Sequence, residues 1–193
     1  MSRISLVAGL ATLLAACQSP DQPALTTPAA GDSHGNPDLA LADSPRTPPG
    51  VQHQVDRVRV ATKAFKNFDF ATSAGGGGYT VQVTDCMEHP PLGTMGLHYA
   101  NPQLLDASLD PLKPEALLYE PVRGGGFKLV GVEYLVPYSA WTSPTPPVLF
   151  GRNLLRNDVF SVWALHFWIW TENPSGEFAD WNPLVSCHRA ATP

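Results

Sequence analysis

Three ionisable side chains stand in the middle of otherwise apolar segments. They are His98 in Gly96-Leu97-His98-Tyr99, Glu133 in Gly131-Val132-Glu133-Tyr134, and His166 in Ala164-Leu165-His166-Phe167. Each follows an aliphatic residue and precedes an aromatic one. Ionisable groups seldom enter apolar surroundings without a partner. Brought to one sheet face, two imidazoles and a carboxylate would form a ligand set for zinc, or with open positions for iron or another divalent metal. The same residues could instead form a solvated or mutually hydrogen-bonded polar cluster, or an acid–base pair serving a ligand. They lie far apart in the chain, so their spacing carries no metal signature of its own.

Aromatic residues surround these positions. Strand alternation places Trp168 and Trp170 on the His166 side, with Leu165, Phe167 and Ile169 opposite. Trp168, Trp170, Tyr99 and Tyr134 are therefore candidates to line a site for an apolar or sugar-like ligand. The competing reading is that they are core. Gly-x-Ser-x-Gly, Ser-x-x-Lys and His-Glu-x-x-His are all absent, so no residue argues for a nucleophilic or zincin-type hydrolase.

These positions need a sheet. Tyr79–Thr84, Met95–Ala100, Ala116–Val122, Phe127–Pro137, Val148–Phe150 and Phe160–Thr171 read as strands. Arg123-Gly124-Gly125-Gly126 marks a hairpin, and Asn101–Pro114 reads as a polar loop. Ahead of them, Val51–Lys66 reads as an amphipathic helix with Val51, Val55, Val58, Thr62 and Phe65 on one stripe. The tetraglycine Gly75–Gly78 lacks a following Lys-Ser/Thr pair and reads as a flexible loop rather than a phosphate cradle. The expected class is α+β, an N-terminal helix on a mostly antiparallel, barrel-like sheet of five or six strands.

The N-terminus gives an address. Arg3 precedes the apolar run Ile4–Leu14, and Leu14-Ala15-Ala16-Cys17 follows the pattern of a bacterial lipobox. The expectation is a signal peptide over 1–17 with lipidation at Cys17, placing the protein on the extracytoplasmic side of the envelope. By resemblance to other bacterial lipoproteins, Gln18 rather than Asp after the cysteine favours the outer membrane in a Gram-negative cell. Residues 18–50 hold seven prolines and no aromatic residue, a composition that suits a disordered tether. Residues 51–193 remain for one domain. Of its cysteines, Cys86 and Cys187 form an even pair in an oxidising compartment and are expected to be a disulfide. A Cys–His metal site with His89 and His188 is the alternative. A disulfide would also draw Glu88, His89 and His188 together.

From Met95-Gly96-Leu97-His98-Tyr99-Ala100-Asn101 through Leu109-Asp110-Pro111, Pro114–Glu120, Val130–Tyr134 and Leu165–Trp168, the chain resembles an uncharacterised family of bacterial exported proteins and lipoproteins. The likeness continues through Asn173-Pro174-Ser175-Gly176, Phe178, Asp180-Trp181-Asn182-Pro183 and Ser186-Cys187. It spans roughly residues 52–187 and implies one exported domain, with no activity attached.

The net charge of −5, with scattered Lys and Arg, argues against a nucleic-acid partner. The expected partners are the membrane, through the lipid, and a small ligand or an envelope protein. The only cofactor expected is a divalent metal ion. The leading functional expectation is a ligand- or metal-binding lipoprotein. A metal-dependent enzyme on a small barrel and a structural lipoprotein with an aromatic patch near Trp141 or Trp181 are the alternatives. Cys17→Ser should move the protein from the membrane fraction to the soluble fraction, followed by fractionation and acyl labelling. Retention of both signals would refute the lipid assignment.

Overall fold

The computed structural model describes residues 49–188. The expected signal peptide, Cys17 and all of the expected tether but its last two residues lie outside them. The chain opens with helix α1 (Pro49–Thr62), a 3-10 turn (Lys63–Lys66) and helix α2 (Phe68–Thr72). Pro49 begins α1, where its fixed φ suits a first helical turn. Strands follow: β1 (Val81–His89), β2 (Gly93–Ala100), β3 (Ala116–Pro121), β4 (Phe127–Pro137), β5 (Val148–Leu149), β6 (Arg152–Asn153), β7 (Leu155–Asn157) and β8 (Val162–Phe167). Among the described residues no helix is long and apolar enough to cross a membrane.

Six strands form one antiparallel sheet in the order β1-β2-β3-β4-β8-β7, while β5 and β6 form a separate pair. The sheet curls through 217° into a half-barrel, as the α+β, barrel-like expectation required. Its two faces differ in side-chain size. Leu117, Tyr119, Val132, Tyr134, Leu165 and Phe167 share a core with Val55 and Val58 of α1. The opposite face carries Ala100, Ala116 and Ala164 beside Leu135. On that same face Leu118, the partner of His98, packs with Val130, Trp168 and Val185 in a separate cluster, so the small side chains are confined to the part beside Glu133 and His166, where the lumen opens.

The helix packs as its stripe predicts. Val55, Val58 and Thr62 are buried, and Phe65 is half-buried; the side chain of Val51 is not among those described. Burying each valine contributes about 1.5–2 kcal/mol. Two polar bonds fix the helix: Arg59 Nε donates to the Ile169 carbonyl at 2.6 Å, and Trp170 Nε1 donates to Thr62 Oγ1 at 3.2 Å. The helix is interrupted at Thr62, where the chain tightens into the 3-10 turn before Asn67 caps α2 through its side chain.

Three expectations need correction. The tetraglycine is not a free loop. Gly77 donates to the Phe70 carbonyl at 2.8 Å, and a Cβ at Gly77 would sit 2.6 Å from the Ala71 carbonyl oxygen. β1 runs on to His89, because its pairing with β2 continues through a series of bulges. β8 ends at Phe167, not Thr171: Ile169 donates back to the Phe167 carbonyl, and Trp168 turns to the Glu177 carbonyl. The short strands β6 and β7 carry too few residues to show a period.

Cys86 and Cys187 are bonded, with Cα atoms 5.6 Å apart and a sequence separation of 101, which removes the Cys–His metal alternative. The bond ties the C-terminal segment to edge strand β1. Nearby, Thr94 and Asn182 form an antiparallel bridge.

Gly96 is held at φ +82°, and a Cβ there would meet the Tyr119 carbonyl oxygen at 2.6 Å. Gly96→Ala should therefore destabilise the domain by about 2–4 kcal/mol, through positive-φ strain and a backbone clash between β2 and β3. Urea unfolding followed by tryptophan fluorescence measures this. A change below about 0.5 kcal/mol, the range of a neutral surface substitution, would contradict it.

Candidate metal centre

Glu133 on β4 and His166 on β8 are direct cross-strand partners, so their side chains leave the sheet together. His98 lies two strands from Glu133, with β3 between. Its own partner there is Leu118, while the residue of β3 opposite Glu133 is Ala116. The small methyl of Ala116 leaves the space through which the imidazole reaches the carboxylate. In a flat sheet β2 and β8 would stand about 14 Å apart, three strand spacings of ~4.8 Å. The curl closes that distance, and His98 Nε2 and His166 Nε2 meet at 3.2 Å.

The three side chains are 4–5% exposed. Glu133 Oε2 lies 3.6 Å from His98 Nε2, and its Oε1 lies 3.6 Å from His166 Nε2. Choosing one donor atom from each residue, all lie within 4.8 Å of one another, and among the described residues this is the one such group of three or more. Tetrahedral bonds of about 2.05 Å set donors about 3.4 Å apart. The two imidazoles already have that separation, and a rotation of the carboxylate would bring one oxygen to it. The residue types suit zinc, and equally the two-histidine, one-carboxylate set of non-haem iron.

Outer partners orient the ligands. Thr84 Oγ1 is 2.8 Å from His98 Nδ1, leaving Nε2 to face the cluster. Asp180 Oδ1 lies 3.4 Å from His166 Nδ1. That nitrogen is buried and has no aligned hydrogen-bond partner, so the Asp180 contact is electrostatic. Carboxylate–histidine pairs of this kind hold metal-binding imidazoles in one tautomer. Trp168 stacks on His166, with ring centroids 6.1 Å apart and planes 9° apart. Sequence reasoning missed both outer partners. Asp180 sits in a loop with no period, and Thr84 becomes visible only once β1 is registered against β2.

The electrostatics follow from burial. His98 is pushed down to about 3, first by desolvation and then by the neighbouring His166, against a hydrogen bond to the Gly96 backbone. Glu133 is raised, chiefly by burial and also by Asp180, with His166 acting against both. Burial opposes charge on His166 too, yet Glu133 and Asp180 together outweigh it and hold this imidazole above its ordinary value.

The cluster opens into a cavity of about 380 Å³. Every strand of the sheet except β3 contributes to its lining, from Val83 on edge strand β1 to Leu155 on edge strand β7. The four aromatic residues expected to hold a ligand do not line it. Tyr134 is fully buried in the core on the other face and donates to the Pro111 carbonyl. Tyr99 lies on that face too, packing on Phe68, and donates to Gln82. Trp170 reaches the helix side because the strand ended three residues earlier, and Lys66 covers its ring at 3.9 Å. Trp168 remains behind His166 and donates to the Ala179 carbonyl at 2.6 Å.

At the disulfide, His188 meets Glu88 at 2.9 Å, but His89 turns to Trp181, 5.2 Å between rings. Trp181 and Trp141 are each half-buried, and Trp141 packs on the main core, so neither makes an exposed aromatic patch. Compared with protein-family models, curated proteins and solved structures, the chain matches none.

The shifts fix the pH dependence of the metal-free chain. Between 6.5 and about 3 the unfolded chain protonates His98 while the folded chain does not, so stability falls as pH drops through that window. Raised groups act oppositely: the contributions of His166 and Glu133 are full below their ordinary values and are lost as pH rises through their folded values. In EDTA, His98→Gln should flatten the loss of urea stability from neutral pH down to about 4. Equal slopes in parent and variant would show that His98 carries none of it.

Proposed function

We propose that this protein binds a divalent metal ion through His98, Glu133 and His166, as a lipoprotein anchored by Cys17 on the extracytoplasmic side of the envelope. One observation carries the metal reading: three buried side chains of ligand type present one donor atom each within 4.8 Å. Without an ion the two imidazoles share one hydrogen bond at 3.2 Å, and the buried carboxylate, 3.6 Å from each of them, has given up its water, a costly arrangement. An ion of charge +2 offsets that cost. The orphaned Nδ1 of His166 beside Asp180 supports the same reading, since an ion on Nε2 fixes the proton on Nδ1, facing the carboxylate. The disulfide is in keeping with an oxidising compartment.

A metal-dependent enzyme is the second reading, favoured by one feature. Three protein ligands with a cavity beside them match the open coordination of catalytic zinc sites, where water takes the fourth place. Turnover of small esters or amides by the zinc-loaded chain, abolished by chelation, would establish it; binding without turnover leaves a binding protein.

The deciding measurement is metal content by elemental mass spectrometry on untagged protein exported to the periplasm. About one ion per chain is expected, falling to background in His98→Ala/His166→Ala with the fold retained by circular dichroism. No metal in the parent, before or after reconstitution with zinc, iron, copper and manganese, would reduce the trio to a polar cluster.

A further inference from the structure

The lumen of the half-barrel has an inverted polarity. Three ionisable groups, His98, Glu133 and His166, sit at the buried end, 4–5% exposed, while Arg156 and Asp180 line the lumen nearer the surface. Its open end is rimmed by Val83, Met87, Leu105, Leu155, Val159 and Phe160, all of them exposed apolar side chains that line the same cavity. Apolar side chains exposed singly are ordinary; a group of them around one opening marks a binding site. Arg156, the cation at the mouth, is already engaged, pairing with Asp158 at 2.7 Å and lying over the Tyr138 ring.

We propose, building on the metal reading, that the lumen binds a small amphiphile with an anionic head, of the class of medium-chain carboxylates. The head enters first and completes the coordination of the ion. The tail lies outward across Leu135 and Val162 and covers the apolar rim. Coordination favours this orientation: three protein ligands leave an open place on the ion that a carboxylate oxygen fills, with Asp180, which also lines the cavity, held back beside His166 Nδ1. Size agrees as well. The cavity of about 380 Å³ equals about a dozen waters at ~30 Å³ each, room for a chain of about ten carbons. A polar ligand such as a sugar would leave the rim wet, and a long diacyl lipid would exceed the lumen.

The test uses the full chain loaded with zinc and titrated calorimetrically with acetate, decanoate and decanol, with decanol also titrated into metal-free chain. Each buried methylene is worth roughly a fourfold gain in affinity, so burial of four of them makes decanoate on the order of a hundredfold tighter than acetate. Leu155→Glu, at a half-exposed rim position, should weaken decanoate and decanol alike by tenfold or more. His98→Ala/His166→Ala should abolish the advantage of decanoate over decanol and leave decanol binding intact. Decanoate no tighter than acetate overturns the proposal, as does a rim found buried in a dimer of this chain by analytical ultracentrifugation. If no zinc loads, the metal reading fails on its own. Decanol binding to the metal-free chain, lost in Leu155→Glu, would then still uphold the apolar lumen, and its absence would remove that too.

Discussion

The site depends on the curl of one sheet. His98 and His166 stand on strands three places apart, and only a sheet bent through 217° brings their nitrogens to 3.2 Å. The bend has a chemical cause in the alternation along each strand. Leu117, Tyr119, Tyr134 and Phe167 crowd the face that meets the helix, while the other carries Ala100, Ala116 and Ala164 beside the cluster and larger residues (Leu118, Trp168) only further along. Close packing of the large face over α1 drives the small face inward, and the missing volume at Ala116 becomes the passage between His98 and Glu133. Enlarging Ala116 would fill the space between the His98 imidazole and Glu133.

The second shell of the cluster comes from a different part of the chain. Asp180, beside His166, belongs to the C-terminal segment, and that segment is pinned at several points. Cys187 is bonded to Cys86, Asn182 bridges Thr94, and Ser186 donates to the buried Glu120. Asn182 also donates to the Glu172 carbonyl and accepts from Leu184. A segment with little regular structure is thereby fixed to the rim of the half-barrel. Closing a loop of about a hundred residues contributes about 4–5 kcal/mol in the chain-entropy picture. The disulfide thus supports the orientation of a ligand some distance away, by holding the segment that carries Asp180.

Besides Glu120, which holds the C-terminal segment, two other buried carboxylates divide the work of the interior. Glu115 lies 2% exposed beneath Leu135, whose backbone N–H donates to it at 3.0 Å, and burial pushes it up to about 8. It closes the edge of β4 and serves the fold. Glu133 accepts no backbone hydrogen bond of this kind and faces two imidazoles instead. The contrast separates an acid bound to the backbone from one flanked by two imidazoles.

Much of this architecture was legible in the chain itself. The helical stripe, the hairpin at Gly124–Gly126, the single disulfide and the three ionisable interruptions all follow from local periodicity and residue type, which act over a few residues and leave a pattern. The aromatic residues were misread because parity holds only while a strand lasts. β8 stops at Phe167, so Trp170 crosses to the helix, and Tyr99 and Tyr134 belong to the core face. No local pattern assigned Asp180 or Thr84 to the site or revealed the lumen, because each depends on residues far apart in sequence becoming neighbours. The sequence alone determined that two histidines and a glutamate would stand in apolar strands. The tertiary structure decided that they meet, because the distance between β2 and β8 is set by sheet curvature, a property of six strands packed together that no single strand encodes.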